Sequence, residues 1–402
     1  MKKTFTLLSL SLSLSLVKAD YWTQKADFGG APRRMTDCYS IGNYGYIGMG
    51  YAAGTDFADL WQYDQATNTW SQKVSLPAAA RRLGSSFSIG AKGYCGIGYD
   101  GILYNDFWEW DQATDAWTQK ANFPGTPRCD AVSFSIGTKG YIGTGYSGPV
   151  ENDFWEWDQL TNIWTAKASL PANGRANAVG FAIGAKGYIA TGASAGASNV
   201  FDDLWEWDQA TDTWTQKSNF PGAARYGAVG FSIGTKAYLG TGFSGVVEND
   251  FWEWDQATDT WTQKINLSGT ARNYAAGFEI AGKGYLGTGV DGSSTTDLAD
   301  FWEYTPDSTT GINEFQVSSA LGGGLQVYPN PAKDFIVVSH LLTGKEKINL
   351  IITDVTGKKV YEVQLQTKTS NFKLQTLNFR NGIYFIELYN GKEKAIKKFI
   401  KI

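Results

Sequence analysis

Carboxylates recur in six stretches of this chain that otherwise share little with one another, and aromatic rings stand beside them in five. Tyr51, Tyr99, Tyr146 and Phe243 open four of these stretches, and Tyr104, Asp100, Glu151, Glu248 and Asp291 lie within them. Flat aromatic faces beside carboxylate acceptors suit sugar rings or a polar protein surface. Two uses are open for the aromatics, a ligand platform or a seal over the structure beneath. A second series is cationic: Arg33, Arg81, Arg128, Arg175, Arg225 and Arg272 recur at near-regular intervals. These arginines are either structural or a basic collar around one opening, and in the second case Arg128, Arg175 and Arg225 would contact a ligand. A third series, Asp59, Asp106, Asp153, Asp203, Asp250 and Asp300, stands two places before a Trp each time. One site rarely needs six copies, so these Asp residues are expected to bond backbone at a turn.

The composition excludes much other chemistry. The only histidine is His340, so neither a His-containing triad nor a multi-His metal site can be built. No carboxylate spacing singles out an acid/base pair, so no catalytic residue, metal or cofactor is assigned. Cys38, Cys95 and Cys129 lack CxxC spacing and can form at most one disulfide. The net charge of −4 hides a division: residues 20–324 carry 19 basic and 33 acidic groups, whereas residues 325–402 carry 13 and 6. The larger part has no basic stripe, which argues against a nucleic-acid partner because phosphate contacts supply most of that affinity.

Lys2 and Lys3, an apolar run from Leu7 to Val17 and the small Ala19 read as a secretory signal peptide over residues 1–19. The run is short and serine-diluted, and no later segment reaches the length of a membrane-spanning helix, so no integral membrane span is expected.

The elements that must carry the candidate residues follow from the tryptophans. All 16 lie between Trp22 and Trp302, and Trp61, Trp108, Trp155, Trp205, Trp252 and Trp302 are 47 to 50 residues apart. That period belongs to solenoids or propellers. Each copy runs from an Arg through an apolar stretch to a Gly-x-Lys-Gly-like turn and Tyr-x-Gly-x-Gly, then through a variable loop to Asp-Phe-Trp-Glu-Trp-Asp and Trp-Thr-Gln-Lys. Four short antiparallel strands per copy are expected. The sixth copy ends at Trp302-Glu303-Tyr304 without its last strand, while Tyr21-Trp22-Thr23-Gln24-Lys25 stands alone at the other end. Completion of the last sheet by the first strand requires a closed ring of six sheets.

Over residues 20–305 these units resemble the kelch repeat family: an Arg at the inner strand, Tyr before glycines, and aromatics flanking an Asp-containing turn. The resemblance implies an all-β, six-bladed kelch-type β-propeller. The adjacent glycine pair of that family is replaced by Met49-Gly50, Ile97-Gly98, Thr144-Gly145, Thr191-Gly192, Thr241-Gly242 and Thr288-Gly289, so inner-strand packing is expected to differ. Residues 306–324 are small, polar and glycine-rich, as in a linker. From 325 to 402 about seven alternating strands predict a small β-sandwich. Tyr328-Pro329-Asn330-Pro331, the stretch around Asp354 and Gly357, Gly382 with Tyr384, and a basic last strand resemble in order the carboxy-terminal sorting domain of the type IX secretion system of Bacteroidetes. The resemblance implies the type IX machinery as a partner and a secreted or cell-surface destination.

Up-down connectivity would place loops 1-2 and 3-4 of every blade on one face, and the divergent 2-3 loops with the 4-1 connections on the other. A unique ligand can be read only where blades differ. The leading expectation is therefore a non-enzymatic binding module for a glycan or protein. The alternatives are a carbohydrate-active enzyme of mutarotase or lyase type, since kelch-like propellers include a sialic acid mutarotase and a copper-radical oxidase, and a structural adhesion component. The oxidase uses two His ligands, which this propeller lacks.

Overall fold

The computed structural model describes residues 20–293, 295–307, 326–328, 335–339, 348–365, 371–376, 379–389 and 394–401. The chain divides into two compact units, Asp20–Pro306 and one holding the carboxy-terminal strands. Residues 1–19, most of the 306–324 stretch, Pro329, Asn330, Pro331 and His340 lie outside the described residues.

The first unit contains six four-stranded antiparallel sheets among its described residues. Blade three is typical, with strands Val132–Ile136, Lys139–Gly143, Phe154–Asp158 and Ile163–Lys167 in consecutive order. Its inner strand alternates, burying Phe134 and Ile136. The glycine at the second position of the second strand, present in five blades and replaced by Ala237 in blade five, has a steric reason. A Cβ on Gly140 would lie 2.0 Å from the Phe87 ring of the preceding blade, and one on Gly187 would lie 2.3 Å from Phe134. In five of the six blades an aromatic of the preceding blade thus sits on bare backbone. Trp157 packs fully buried against Tyr94 and Phe107 of blade two, with ring centroids 4.9 and 5.1 Å apart, and ties the same pair of blades farther out.

The circle closes as the sequence requires. Tyr21–Gln24 pairs antiparallel with Phe301–Thr305, setting Trp22 opposite Tyr304 and Gln24 opposite Trp302. Asp20 completes the join: its carboxylate accepts from Ile265 N and the Tyr304 hydroxyl at 3.1 and 2.9 Å. In blade two Asp115, equally placed before its Trp, accepts from Val74 N and Trp110 Nε1.

Two circles of backbone hydrogen bonds run round the axis. In one, the amides of Met35, Leu83, Asp130, Asn177, Gly227 and Tyr274 each donate to the equivalent carbonyl of the preceding blade, at 2.9 to 3.1 Å, with Met35 donating to Tyr274. In the other, Gly50, Gly98, Gly145, Gly192, Gly242 and Gly289 donate to the carbonyl of the repeated Arg one blade on, at 2.7 to 2.9 Å, with Gly289 returning to Arg33. Neither circle can close in an open solenoid.

The repeated arginines and aspartates are partners of one another. Each guanidinium is fully or almost fully buried and holds the Asp of its own blade through both nitrogens, with Nη2 to Oδ2 at 2.6 to 2.9 Å. The same Asp oxygen accepts from the indole Nε1 two residues on, at 2.6 to 2.9 Å. The expectation that these Asp residues bond backbone is corrected: their partners are Arg and Trp side chains. Burial pushes the Asp203 and Asp300 carboxyls up, but the Arg175 and Arg272 guanidiniums outweigh it and hold both below the usual range. Each Arg also donates Nη1 to the carbonyl of Met49, Ile97, Thr144, Thr191, Thr241 or Thr288. These six residues have left-handed φ between 52° and 62°. That is the answer to the missing first glycine: a buried cation braces a conformation that a side chain ordinarily resists.

The carboxy-terminal unit has a three-stranded sheet, in the order 326–328, 335–339, 371–375, and a four-stranded one, in the order 359–365, 348–354, 382–389, 394–401. Ile336, Val338 and Leu374 of the first share a core with Leu350, Ile352, Ile386 and Phe399 of the second. This is the small sandwich expected. Outside strands, the helical content of the described residues is a single 3₁₀ turn, Ala195–Ala197.

Candidate functional site

The two faces of the ring differ as their connections differ. On one, two-residue turns beginning at Gly42, Gly90, Gly137, Gly184, Gly234 or Ala281 join the inner hairpins. On the other, the residue after each buried Arg bridges to the start of its own blade's 2-3 loop: Arg34 with Tyr51, Arg82 with Tyr99, Cys129 with Tyr146, Ala176 with Ala193, Tyr226 with Phe243, Asn273 with Val290. The next residue, Met35, Leu83, Asp130, Asn177, Gly227 or Tyr274, is left-handed in every blade and lines the mouth of the axial opening. Backbone geometry at these positions is six-fold, while the side chains are all different.

The expected site residues spread round this face and take different parts. Tyr51 and Tyr99 flank Arg82, whose Cζ is 4.2 and 5.1 Å from their ring centroids while its Nη1 bonds Asp56 at 3.0 Å. Tyr104 lies over the Arg81 guanidinium at 4.2 Å and donates to Asp100 at 2.7 Å, so it seals the blade. Glu151 and Glu248 each accept from a serine of their own loop, Ser147 and Ser244, at 2.5 Å. Asp291 accepts from Ser293. These carboxylates hold loops in shape. Phe243 packs against Tyr226 in a tilted pair, centroids 5.5 Å apart. Arg128, Arg175 and Arg225 are fully buried and paired with Asp, so the reading of them as ligand contacts in a basic collar is corrected: no guanidinium of that series faces the opening.

Of the expected residues, Tyr146 alone lines the open depression beside the axis, a hollow of about 350 Å³. Its other functional walls are Asp130, Asn177, Tyr226 and Tyr274. Alanines and glycine at 193 and 195–197 leave the floor of the blade-four loop low. Tyr226 and Tyr274 stand with centroids 6.3 Å apart, and Tyr146 is 39 % exposed. The Asp130 Oδ1 atom is buried with no hydrogen-bond partner, and Oδ2 receives the Cys129 thiol at 3.4 Å. Burial pushes the Asp130 carboxyl up to about 7, against weaker lowering by Cys129, Asn177 and Arg82. Burial, with Asp130 nearby, also raises the Tyr274 phenol. Small side chains at Gly84, Ala131, Ala178, Ala228 and Ala275 form the neck below, and Asp37, with an unpartnered Oδ2, lines the channel under them.

Asp130, Asn177, Tyr226 and Tyr274 were missed because attention to the long variable loops passes over the two residues after each Arg. Aligning the six units on that Arg exposes the signal, Arg-Met, Arg-Leu, Cys-Asp, Ala-Asn, Tyr-Gly and Asn-Tyr, in the middle of otherwise uniform sequence. Among the described residues no group of three His, Cys, Asp or Glu side chains is placed to hold a metal ion.

In the carboxy-terminal unit, Asp354 caps a tight turn by accepting from Thr356 N, Thr356 Oγ1 and Lys358 N at 2.9, 2.6 and 3.1 Å. Gly357 sits in that turn at φ +80°. Tyr384 stacks on Phe399 at 5.4 Å and donates to Arg380 O at 2.9 Å, while Gly382 begins the same strand. Tyr328 ends the first strand of this unit.

Residues 326–402 match the family model described as the secretion system C-terminal sorting domain. A solved structure titled "Structure of YjhT" superposes on 71 % of this chain and 98 % of its own length with a TM-score of 0.62 at 15 % sequence identity, a likeness of fold. No curated protein matches the chain.

Proposed function

We infer, for a chain that is a kelch-type six-bladed propeller followed by a secretion-system C-terminal sorting domain, that the propeller is exported cargo acting as a non-enzymatic binding module. The sorting domain implies handling by the type IX machinery and delivery to the cell surface or extracellular space. In this reading residues 1–19 serve as the leader for inner-membrane crossing, as in a Bacteroidetes secreted protein. The ligand, a glycan or a protein, is read on the face of the 2-3 and 4-1 connections.

One observation supports this most: around a ring with six-fold backbone geometry, the residues two past the repeated Arg are Met, Leu, Asp, Asn, Gly and Tyr round the axial mouth, and three of them, Asp130, Asn177 and Tyr274, line an open hollow together with Tyr146 and Tyr226. A structural ring has no use for such divergence. Glycan arrays and pull-downs with the full chain are expected to find a ligand whose binding is lost on combining Tyr146→Ala with Tyr226→Ala. Binding untouched by that pair argues against the reading.

A second reading, an enzyme of mutarotase or lyase type in the same hollow, draws on Asp130. A carboxyl near 7 can give and take a proton at neutral pH. Turnover of a sugar panel by metal-free protein, abolished by Asp130→Asn, would favour it over simple binding.

A further inference from the structure

We propose that the hollow beside the axis takes an amino sugar with a free amine, the ammonium lying against the tyrosine wall and Asp130 serving as its counter-ion. This rests on the binding-module reading and names the ligand class of the same site.

The first support is an uncommitted acceptor. Asp130 Oδ1 is buried with no hydrogen-bond partner, while the Cys129 thiol reaches Oδ2 at 3.4 Å and the Asn177 carboxamide also favours the charged form. Buried carboxyl oxygens ordinarily find donors, so an unmet one on the wall of a hollow marks where a ligand donor fits. The nearest guanidiniums are engaged elsewhere. Arg82 is bonded to Asp56 and held between Tyr51 and Tyr99, and Arg34 is paired with Asp297 at 3.3 Å.

The second support is the wall. Tyr146, Tyr226 and Tyr274 line the hollow, and the negative quadrupole of an aromatic face attracts a cation, more strongly once water is displaced. A hydroxyl would use the carboxyl and gain little from the rings; an ammonium uses both. Charge over a longer range agrees: residues 20–324 carry 19 basic against 33 acidic groups, which concentrates cationic ligands near the surface.

The third is size. A volume of about 350 Å³ is far more than a bare ammonium needs and falls where small-molecule sites lie. The exposed face of Tyr146 can take the C–H side of a sugar ring, and the Asn177 carboxamide stands beside it for hydroxyls. A lysine side chain would bring the charge on a flexible stem and leave that platform unused.

The test is calorimetric titration of the full chain with glucosamine, N-acetylglucosamine and glucose, and with Nα-acetyl-lysine amide as the peptide amine. Glucosamine is expected to bind about tenfold or more tighter than the two neutral sugars and than the lysine derivative. Asp130→Asn, which keeps the shape, should bring the three sugars to within about twofold of one another, with tryptophan fluorescence unchanged as evidence of folding. Equal binding of glucosamine and its N-acetyl form, a preference surviving in Asp130→Asn, or tighter binding of the lysine derivative would each overturn the proposal. If another ligand binds this face and is lost with Tyr146→Ala and Tyr226→Ala, the amine proposal fails and the binding module stands. If nothing binds the face, both fail.

Discussion

Asp37 should make the propeller less stable as pH rises from about 4 to about 7. It opens the inner strand of blade one at a position held by Ser85, Val132, Val179, Val229 and Ala276 in the other blades. The residue is 3 % exposed, its Oδ2 has no partner, and Gly84 leaves the space it occupies, since a Cβ there would come within 2.5 Å of that oxygen. Burial raises the carboxyl from 3.8 to about 7, with the Arg81 charge opposing. The Cys38 and Cys95 thiols and the Tyr39 phenol, which feel the Asp37 charge, are themselves raised by burial and stay neutral. Between about pH 4 and pH 7 the folded chain therefore holds a proton that the unfolded chain has lost. Stability falls across that window, and the full penalty is present above pH 7. At about 1.4 kcal/mol per pH unit the shift corresponds to about 4 kcal/mol as an upper figure. Asp37→Val, which copies blades three to five, should raise stability at pH 8 by about 2 to 4 kcal/mol and by clearly less at pH 4. Urea denaturation followed by tryptophan fluorescence reads the propeller alone, because all 16 Trp lie in it. Wild type and variant differing by the same amount at pH 4 and pH 8, or a variant less stable at pH 8, would refute the reasoning.

Arg175→Met should destabilise the propeller by about 3 to 5 kcal/mol, because it strands the Asp203 carboxylate and unbraces Thr191; a melting temperature within a degree of wild type would contradict that structural role. Asp20→Ala removes the acceptor for Ile265 N and the Tyr304 hydroxyl and should cost about 1 to 3 kcal/mol, measured by urea denaturation. Deleting residues 20–25 strips the partner from Phe301–Thr305 and should produce concentration-dependent association in sedimentation, as an uncovered strand edge does.

The ring was legible because its signals are repeated. Six tryptophans at one period and a stray Tyr-Trp-Thr-Gln-Lys at the wrong end fix the blade count and the closure before any coordinates. The site was legible in part. The face proposed for binding follows from where the blades diverge, and Tyr146 is a candidate in the sequence because it opens a variable loop. Asp130, Asn177, Tyr226 and Tyr274 were not, because positions that repeat perfectly in backbone and differ only in side chain look like scaffold. The arginines left two readings open, structural or a collar, because whether Arg128 faces the axis or Asp153 depends on burial that one-dimensional spacing does not encode.

Two variants on opposite faces test most directly where the ligand is read. Tyr146→Ala with Tyr226→Ala alters the hollow, and Leu160→Lys changes an 81 % exposed side chain in the 3-4 turn of blade three, on the other face. Binding of the full chain to its ligand, measured by calorimetry, should weaken by about tenfold or more in the first and stay within about twofold of wild type in the second. Loss in Leu160→Lys with retention in the tyrosine pair would place recognition on the uniform face and contradict the assignment.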